Sequence, residues 1–436
     1  MSESEIVEKL KKGGAKLVVL GAGYMGLPTA VAFALKGIKV IAADINQSVV
    51  NAINRGECLI KERGLRKSLK KVVEAGNLVA TSDIERACKE GSVYIILVPT
   101  PMSKGEVDLS AVESASRSIE RGLEKGDVVI LESTVPPGTT EDIVKPILER
   151  SGLVAGRDFY LAYCPERAMP GRTLYEIENN SRIISGINEE SARIAKEIYK
   201  IVVRGDIWIA SSLRVAEVVK IAENAYRFVN IAFANELALI CQKIGVDVKE
   251  VIELANKHPR VSIHKPGAGV GGHCLPKDSR ILANEAISYG LNPKLLNAAE
   301  EINDSMPEYV VSLAEDALKE VNKNLENSKV VVLGLAYKGG TDDTRCSPAE
   351  RIINLLKDRG VNVFTYDPFI HRKSIEDVLE GADCIIIATD HKEFLGIEDK
   401  IIEKMRNPGV IVDGRNILNS SKFKFNKKVV YRGVGR

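Results

Sequence analysis

The sequence predicts an α/β protein in which two doubly wound parallel-sheet domains are joined by a long central helix and a helical middle domain. Three observations carry this. Short, continuous β-branched runs alternate with longer segments of helical spacing up to about residue 210, and the same alternation returns after residue 328. Between them, Ser211 to Gly245 holds no proline and no glycine before its last residue, and its apolar residues recur at helical spacing. Strands that are apolar throughout belong in a parallel sheet covered on both faces.

The elements follow in order. Strands are expected at Leu17 to Leu20, Val40 to Ala43, Val93 to Val98 and Val128 to Leu131, and in the second set at Lys329 to Gly334, Val361 to Tyr366, Cys384 to Ala388 and Val410 to Asp413. A helix from Ser211 to Gly245 would run about 50 Å at 1.5 Å per residue. The polar stretch Asn322 to Ser328 is the expected boundary into the last domain, which gives domains at 1–210, 211–327 and 328–436.

Composition narrows the function. The 436 residues carry 61 Lys and Arg against 59 Asp and Glu, a net charge of +2, which argues against a protein that depends on the phosphate backbone of a nucleic acid. Aromatic residues are only 5 % and Trp208 is the sole tryptophan, so an aromatic stacking platform is not expected. No run approaches the ~20 apolar residues of a membrane span. The Leu17 to Leu20 run is broken at once by glycine, so it reads as a strand rather than a signal peptide. Seven cysteines, an odd number with no CxxC pair, suit neither a disulfide framework nor a metal site. A soluble cytoplasmic protein without a bound metal is expected, with one cysteine free for chemistry and the other six inert in the core.

The first strand runs into Gly21-Ala22-Gly23-Tyr24-Met25-Gly26 and then the helical run Leu27 to Leu35. Strand before and helix after make this a Rossmann-like dinucleotide fingerprint, in which glycines let a pyrophosphate approach the helix N-terminus. Asp44 ends the second strand; a carboxylate there accepts the ribose hydroxyls and repels a 2′-phosphate, which predicts NAD over NADP. Thr100 and Thr134 follow the third and fourth strands, where such sheets bind ligands, and are expected cofactor contacts.

Lys265-Pro-Gly-Ala-Gly-Val-Gly-Gly-His-Cys274-Leu-Pro-Lys-Asp278 is the most informative segment. Its glycines and prolines flank one cysteine at a loop-helix junction, where a thiolate is favoured and can act as a nucleophile. On the long helix, Lys220, Asn224 and Arg227 lie at i, i+4 and i+7 and share one face. Apolar neighbours, among them Val218, Ile221, Ala225 and Phe228, imply burial round much of that helix, so these polar groups need a charged or polyhydroxyl partner.

Taken together, GAGYMG, the threonine loops, Tyr163-Cys-Pro-Glu-Arg-Ala-Met-Pro-Gly171, the Lys220 and Asn224 helix, GVGGHCLPKD, Tyr337-Lys338-Gly-Gly-Thr-Asp-Asp-Thr-Arg345 and Asp413-Gly-Arg415 resemble the UDP-glucose/GDP-mannose dehydrogenase family over nearly the whole chain. Within it, CPERAMPG and GGHCLPKD look more like the enzymes acting on UDP-N-acetylmannosamine than those acting on UDP-glucose. The resemblance implies a four-electron oxidation of a sugar C6 alcohol to a carboxylate with two NAD, the active site in the cleft between the α/β domains, and a product used in polysaccharide biosynthesis. It implies that Lys220, with Asp278 and a water, manages the alcohol proton, that Cys274 traps the aldehyde, that Asn224 holds the oxyanion and that Glu166 assists hydrolysis. Arg167, Ala168, Arg227, His258, Arg260, Gly271, Tyr337, Lys338 and Arg415 are implied in UDP-sugar binding, and Arg345 faces the cofactor. An arginine in the segment of Arg260 reaches a neighbouring subunit in relatives, so a homodimer or larger assembly is expected. Alternatives are the same chemistry on UDP-glucose or UDP-N-acetylglucosamine, a two-electron dehydrogenase of the β-hydroxyacid type, and a nucleotide-binding regulator without catalysis.

Overall fold

The computed structural model describes residues 3–436 apart from residues 61, 170, 373, 425 and 427. The chain divides into two compact units, 1–222 and 223–436. Unit one contains strands β1 (Leu17–Leu20), β2 (Val40–Ala43), β3 (Leu78–Thr81), β4 (Val93–Ile96), a small hairpin of β5 (Met102–Ser103) and β6 (Glu106–Val107), β7 (Val128–Leu131), β8 (Tyr160–Tyr163), β9 (Arg182–Gly186) and β10 (Ile207–Ile209). Its main sheet has the order β10-β9-β8-β7-β4-β1-β2-β3. Unit two contains β11 (Lys329–Leu333), β12 (Asn362–Tyr366), β13 (Cys384–Ile387), β14 (Gly409–Asp413) and β15 (Val429–Gly433), in the order β12-β11-β13-β14-β15.

Every residue of β1, β2, β4, β7 and β8 is buried, as are those of β13 and β14. With both faces covered, each strand contributes apolar side chains to two layers, at about 1.5–3 kcal/mol per fully buried Val, Leu or Ile. In unit one Val19, Ile95 and Ile130 pack on one layer and Val18, Ile96 and Val129 on the other. Unit two repeats the arrangement, with Val330 and Ile386 on one face and Val331 and Ile387 on the other.

The sheets correct the sequence reading in three places. β4 ends at Ile96 rather than Val98, because Leu97 and Val98 already turn toward the loop that carries Thr100. The first sheet is not wholly parallel: β8 pairs antiparallel with β9 through Ala162↔Gly186 and Tyr163↔Ser185. Strands β3, β9, β10 and β15 carry alternating or polar residues, or lie at sheet edges, and were not anticipated; nor was β8, a fully buried interior strand of four residues, Tyr-Leu-Ala-Tyr.

The long helix spans Leu213–Ile244, 32 residues and about 48 Å. It starts where the Ser212 hydroxyl accepts the Val215 N–H at 3.2 Å, and stops before Gly245, which takes a left-handed φ of 75°. Val218, expected to be buried, is 37 % exposed, so the helix has an open stripe as well as a packed one.

Candidate active site

Register sets the geometry of unit one. Leu20 pairs with Ala43 and Ile96, Ile96 with Leu131, and Leu131 with Tyr163, so five parallel strands end level with one another. The segments that leave those ends carry the glycine loop, Asp44, Thr100, Thr134 and Glu166. Chain order reverses direction between β1 and β4, which is where open α/β sheets bind nucleotides.

The glycine loop fits a dinucleotide. A Cβ on Gly26 would stand 1.8 Å from the Gly21 carbonyl oxygen, so only glycine lets the helix Gly26–Leu35 pack this close to β1. Gly23 has nothing within 4 Å of its Cβ position, which leaves the approach to the helix N-terminus open. Asp44 is half-buried; Oδ2 accepts the Ala22 N–H at 2.7 Å and Oδ1 the Asn46 N–H at 2.8 Å. Each oxygen keeps a lone pair for a ribose hydroxyl. Thr100 donates to the Thr134 carbonyl at 2.7 Å, so these two loops are tied together. Tyr24 is exposed and Met25 opens the helix.

Unit two has an acid at the same topological place, and it is used differently. Asp367 follows β12, is fully buried, and accepts the N–H groups of Leu335, Ala336 and Phe369 as well as His391 Nε2 at 2.9 Å. Oδ2 takes three of these four donors and the whole carboxylate is shut off from solvent, so Asp367 is not presented to a ribose as the half-buried Asp44 is. In unit two the loops after β11 and β14 instead bring forward Tyr337, Lys338 and Arg415.

Cys274 is exposed and is the first residue of the helix Cys274–Ser288, where backbone dipoles favour negative charge. Ahead of it Gly272 has φ 82°, and a Cβ there would meet the Tyr337 ring at 2.7 Å; a Cβ on Gly271 would meet the Cys346 carbonyl oxygen at 2.5 Å. The cysteine loop therefore lies directly on the Tyr337 loop, and the Gly272 N–H donates to the Arg345 carbonyl at 3.1 Å. Arg415 reaches the same place from β14, donating to the carbonyls of Ala388 at 2.9 Å and Tyr337 at 3.4 Å. Arg345 grips Asp343 through two nitrogens, at 2.9 and 2.6 Å.

Asn224 is buried and joins this cluster through Asp278, its amide N–H donating to Oδ2 at 2.6 Å, while its carbonyl accepts Arg227 at 3.4 Å. Lys277, buried beside Asp278 with Nζ 3.7 Å from Oδ1, was not singled out in the sequence. Nor was Asn235, although it lies eleven residues after Asn224 and so extends the same helical stripe. It accepts the Gly267 N–H at 2.9 Å and donates to Asn303 at 2.9 Å, which fixes the start of the glycine loop to the long helix. His273, pushed down to about 4 by burial, then by Lys277 and Arg345, is neutral at physiological pH.

Lys220 is half-buried one turn before Asn224 on the long helix. Glu166 is buried in unit one beside Arg167 and Ala168, whose N–H groups its Oε1 accepts at 2.7 and 2.6 Å. His258 and Arg260 stand exposed after the helix Val248–Ala255, where the Arg260 N–H donates to His258 Nδ1 at 3.4 Å; among the described residues no hydrogen bond ties this pair to the other predicted site residues. Of the six cysteines expected to be inert in the core, Cys88, Cys164, Cys241 and Cys384 are buried; Cys58 is half-buried and Cys346 exposed. Cys346 lies in the turn before Ser347, the cap of helix Pro348–Asp358, with φ 50°, and so has no core to face.

Residues 15–203 match the UDP-glucose/GDP-mannose dehydrogenase family, NAD binding domain; residues 214–305 match the family's central domain and 331–420 its UDP binding domain. The chain is 45 % identical over 424 residues to the UDP-N-acetyl-D-mannosamine dehydrogenase of Pyrococcus horikoshii, covering 97 % of this chain and 99 % of that one. The solved structure of the Pyrococcus horikoshii enzyme superposes with a TM-score of 0.91, again covering 97 % and 99 % of the two chains at 45 % identity. A UDP-glucose dehydrogenase from Pyrobaculum islandicum, at 32 % identity and covering 97 % and 98 %, superposes with a TM-score of 0.86.

Proposed function

Because the chain belongs to the UDP-glucose/GDP-mannose dehydrogenase family, we propose that it oxidises the C6 alcohol of UDP-N-acetyl-D-mannosamine by four electrons to UDP-N-acetyl-D-mannosaminuronate, with NAD as acceptor. The observation that carries the chemistry is Cys274, exposed at a helix N-terminus and laid against the Tyr337 loop beside the Asn224–Asp278 pair. The sugar is argued from the relatives named for UDP-N-acetyl-D-mannosamine.

NAD, when bound, takes the two electrons of each oxidation as hydride; Gly21, Gly23, Tyr24, Met25, Gly26, Asp44, Thr100, Thr134 and Arg345 are the residues we assign to it. Lys220, helped by Asp278, accepts the alcohol proton and offsets the alkoxide charge in the first oxidation. The Cys274 sulfur then adds to the aldehyde carbon to give a thiohemiacetal, which the second oxidation converts to a thioester. Asn224 keeps one amide N–H for the oxyanion while the other holds Asp278. Water adds to the thioester carbon, the carbon–sulfur bond breaks, the thiolate leaves, and the proton of the water passes to Glu166. Arg167, Ala168, Arg227, His258, Arg260, Gly271, Tyr337, Lys338 and Arg415 are assigned to the UDP-sugar, in a division of the chain at 1–210, 211–327 and 328–436.

We further propose a cytoplasmic enzyme that works as a homodimer or larger assembly; among the described residues no helix is long and apolar enough to cross a membrane. The test is stoichiometry over a panel of UDP-sugars. Two NADH should form per UDP-N-acetylmannosamine consumed, and one would overturn the four-electron scheme. Faster turnover of UDP-glucose or UDP-N-acetylglucosamine would overturn the sugar. Cys274→Ala should yield no acid, and full acid production by that variant would remove Cys274 as the nucleophile.

A further inference from the structure

Behind Glu166 lies a charged cluster that the scheme above does not use. Arg182, the first residue of β9, is 1 % exposed. It donates from Nη1 to Glu132 Oε1 at 2.6 Å and from Nη2 to Glu166 Oε2 at 2.8 Å. Glu132 comes from the end of β7, Glu166 from the loop after β8, and Tyr199 from the end of the helix Glu189–Tyr199. The Tyr199 hydroxyl donates to Glu132 Oε2 at 2.9 Å, and its ring lies under the Arg182 guanidinium at 5.3 Å. Of these four side chains only Glu166 reaches the surface, at 8 % exposure.

We infer that Arg182 is a positioning residue for Glu166, holding its carboxylate in one orientation at the mouth of a buried Glu132–Arg182–Glu166 triad. The inference rests on the hydrolytic role proposed for Glu166. Three donors already fix that carboxylate: the Arg167 and Ala168 N–H groups on Oε1 and Arg182 on Oε2.

Charge balance explains why a second carboxylate stands behind the arginine. One guanidinium cannot cheaply offset two buried anions. Burial drives Glu132 up to about 8, with Arg182 opposing and Glu166 adding to the rise. Burial pulls Glu166 the same way but is outweighed by Arg182, a hydrogen bond with Glu132 and the two backbone N–H groups, so Glu166 ends below the usual carboxylate range. The single proton therefore sits on Glu132, the buried end, and the negative charge at the surface end. Above about pH 8 Glu132 ionises, draws Arg182 toward itself and makes Glu166 the stronger base. The other titratable groups facing Glu132 are Tyr199 and Cys164, both raised by burial and neutral throughout this range.

The test is single turnover of the full chain with NAD and UDP-N-acetylmannosamine, following the first NADH, acid release and thioester on Cys274 by intact mass. Glu166→Gln examines the underlying reading. It should slow acid release by about 100-fold with thioester accumulating, and release at the wild-type rate would remove Glu166 itself. Arg182→Lys keeps the charge but cannot bridge both carboxylates; it should slow acid release by about tenfold or more. If Glu166→Gln is impaired while Arg182→Lys releases acid at the wild-type rate, the role of Glu166 stands and the inference falls. A slowing spread equally over the first NADH and acid release is what a merely structural arginine gives and also overturns it. Glu132→Gln, isosteric with the protonated acid, decides the matter even if Arg182→Lys does not fold. The wild-type-to-variant ratio of acid-release rates should climb about threefold or more from pH 7 to pH 9, and a flat ratio overturns the triad.

Discussion

Asp367 and His391 show how single residues support the loops of unit two. The His391 ring accepts the Gly340 N–H on Nδ1 at 3.1 Å, which leaves Nε2 to donate to Asp367, and Asp367 in turn holds the N–H groups of Leu335 and Ala336. This places the pair directly beneath the loop that carries Tyr337 and Lys338. Burial would raise Asp367, but His391 and three backbone N–H groups overcome it and hold the acid at about 2. A carboxylate lowered on folding adds stability above its unfolded pKa of about 3.9 and loses it as pH falls toward 2, a contribution of roughly 2 kcal/mol near neutrality. Asp367→Asn should therefore unfold in urea with about 2 kcal/mol less stability than wild type at pH 7, and the difference should shrink between pH 4 and pH 2. A difference constant over that window would sink the assignment. None of this was legible in the sequence, because the partners come from three separate loops. Cys274 was legible because its glycines and its helix are contiguous with it, whereas Arg182, Glu132 and Lys277 look like ordinary surface charges until the fold buries them. Cys346 misled for the opposite reason: cysteine composition suggests the core, and the turn before Ser347 has none.

At the scale of elements, the long helix is more than a spacer. Its Glu217 is fully buried and accepts the Gly138 N–H at 2.6 Å, the Thr140 N–H at 2.9 Å and the Thr140 hydroxyl at 2.6 Å. The loop after β7 that carries Thr134 is thereby pinned to the helix within unit one. Glu217→Ala leaves three donors without an acceptor and should cost about 3 kcal/mol or more, read from the urea transition of unit one, with a raised KM for NAD. Glu217→Gln, which retains one acceptor oxygen, should cost less; equal and small losses in the two variants would show that the loop holds itself. Elements were read well from the sequence where the pattern is strong: β1, β2 and β7 fall at the expected residues, and the long helix begins two residues late and ends one early. Two of the misses share a physical cause. β9 and β10 form the edge beyond the antiparallel pairing, and their apolar runs, Ile183-Ile184 and Ile207-Trp208-Ile209, are too short to stand out as strands.

For the whole molecule, the near-zero net charge leaves apolar surface as the natural means of self-association. Unit two's part of the long helix exposes Tyr226, Phe233, Ile240 and Ile244, at 63 %, 51 %, 51 % and 67 %. Tyr226, Phe233 and Ile240 are seven residues apart, and Ile244 follows one turn later, so they form one stripe along the helix. Four large apolar side chains in line would cost solubility in a monomer, and a second copy of the same helix offers a matching stripe. Light scattering at micromolar concentration should give a dimer or larger species, and Phe233→Glu with Ile240→Glu should give a monomer with unchanged helix content by circular dichroism. A monomeric wild type would refute the assembly, and a double variant that stays dimeric would move the interface elsewhere. The same pair of proteins also tests the expected reach of Arg260 into a neighbouring subunit. Should Arg260 act across that interface, the monomeric variant loses turnover to the extent that Arg260→Ala does, and combining the changes adds no further loss.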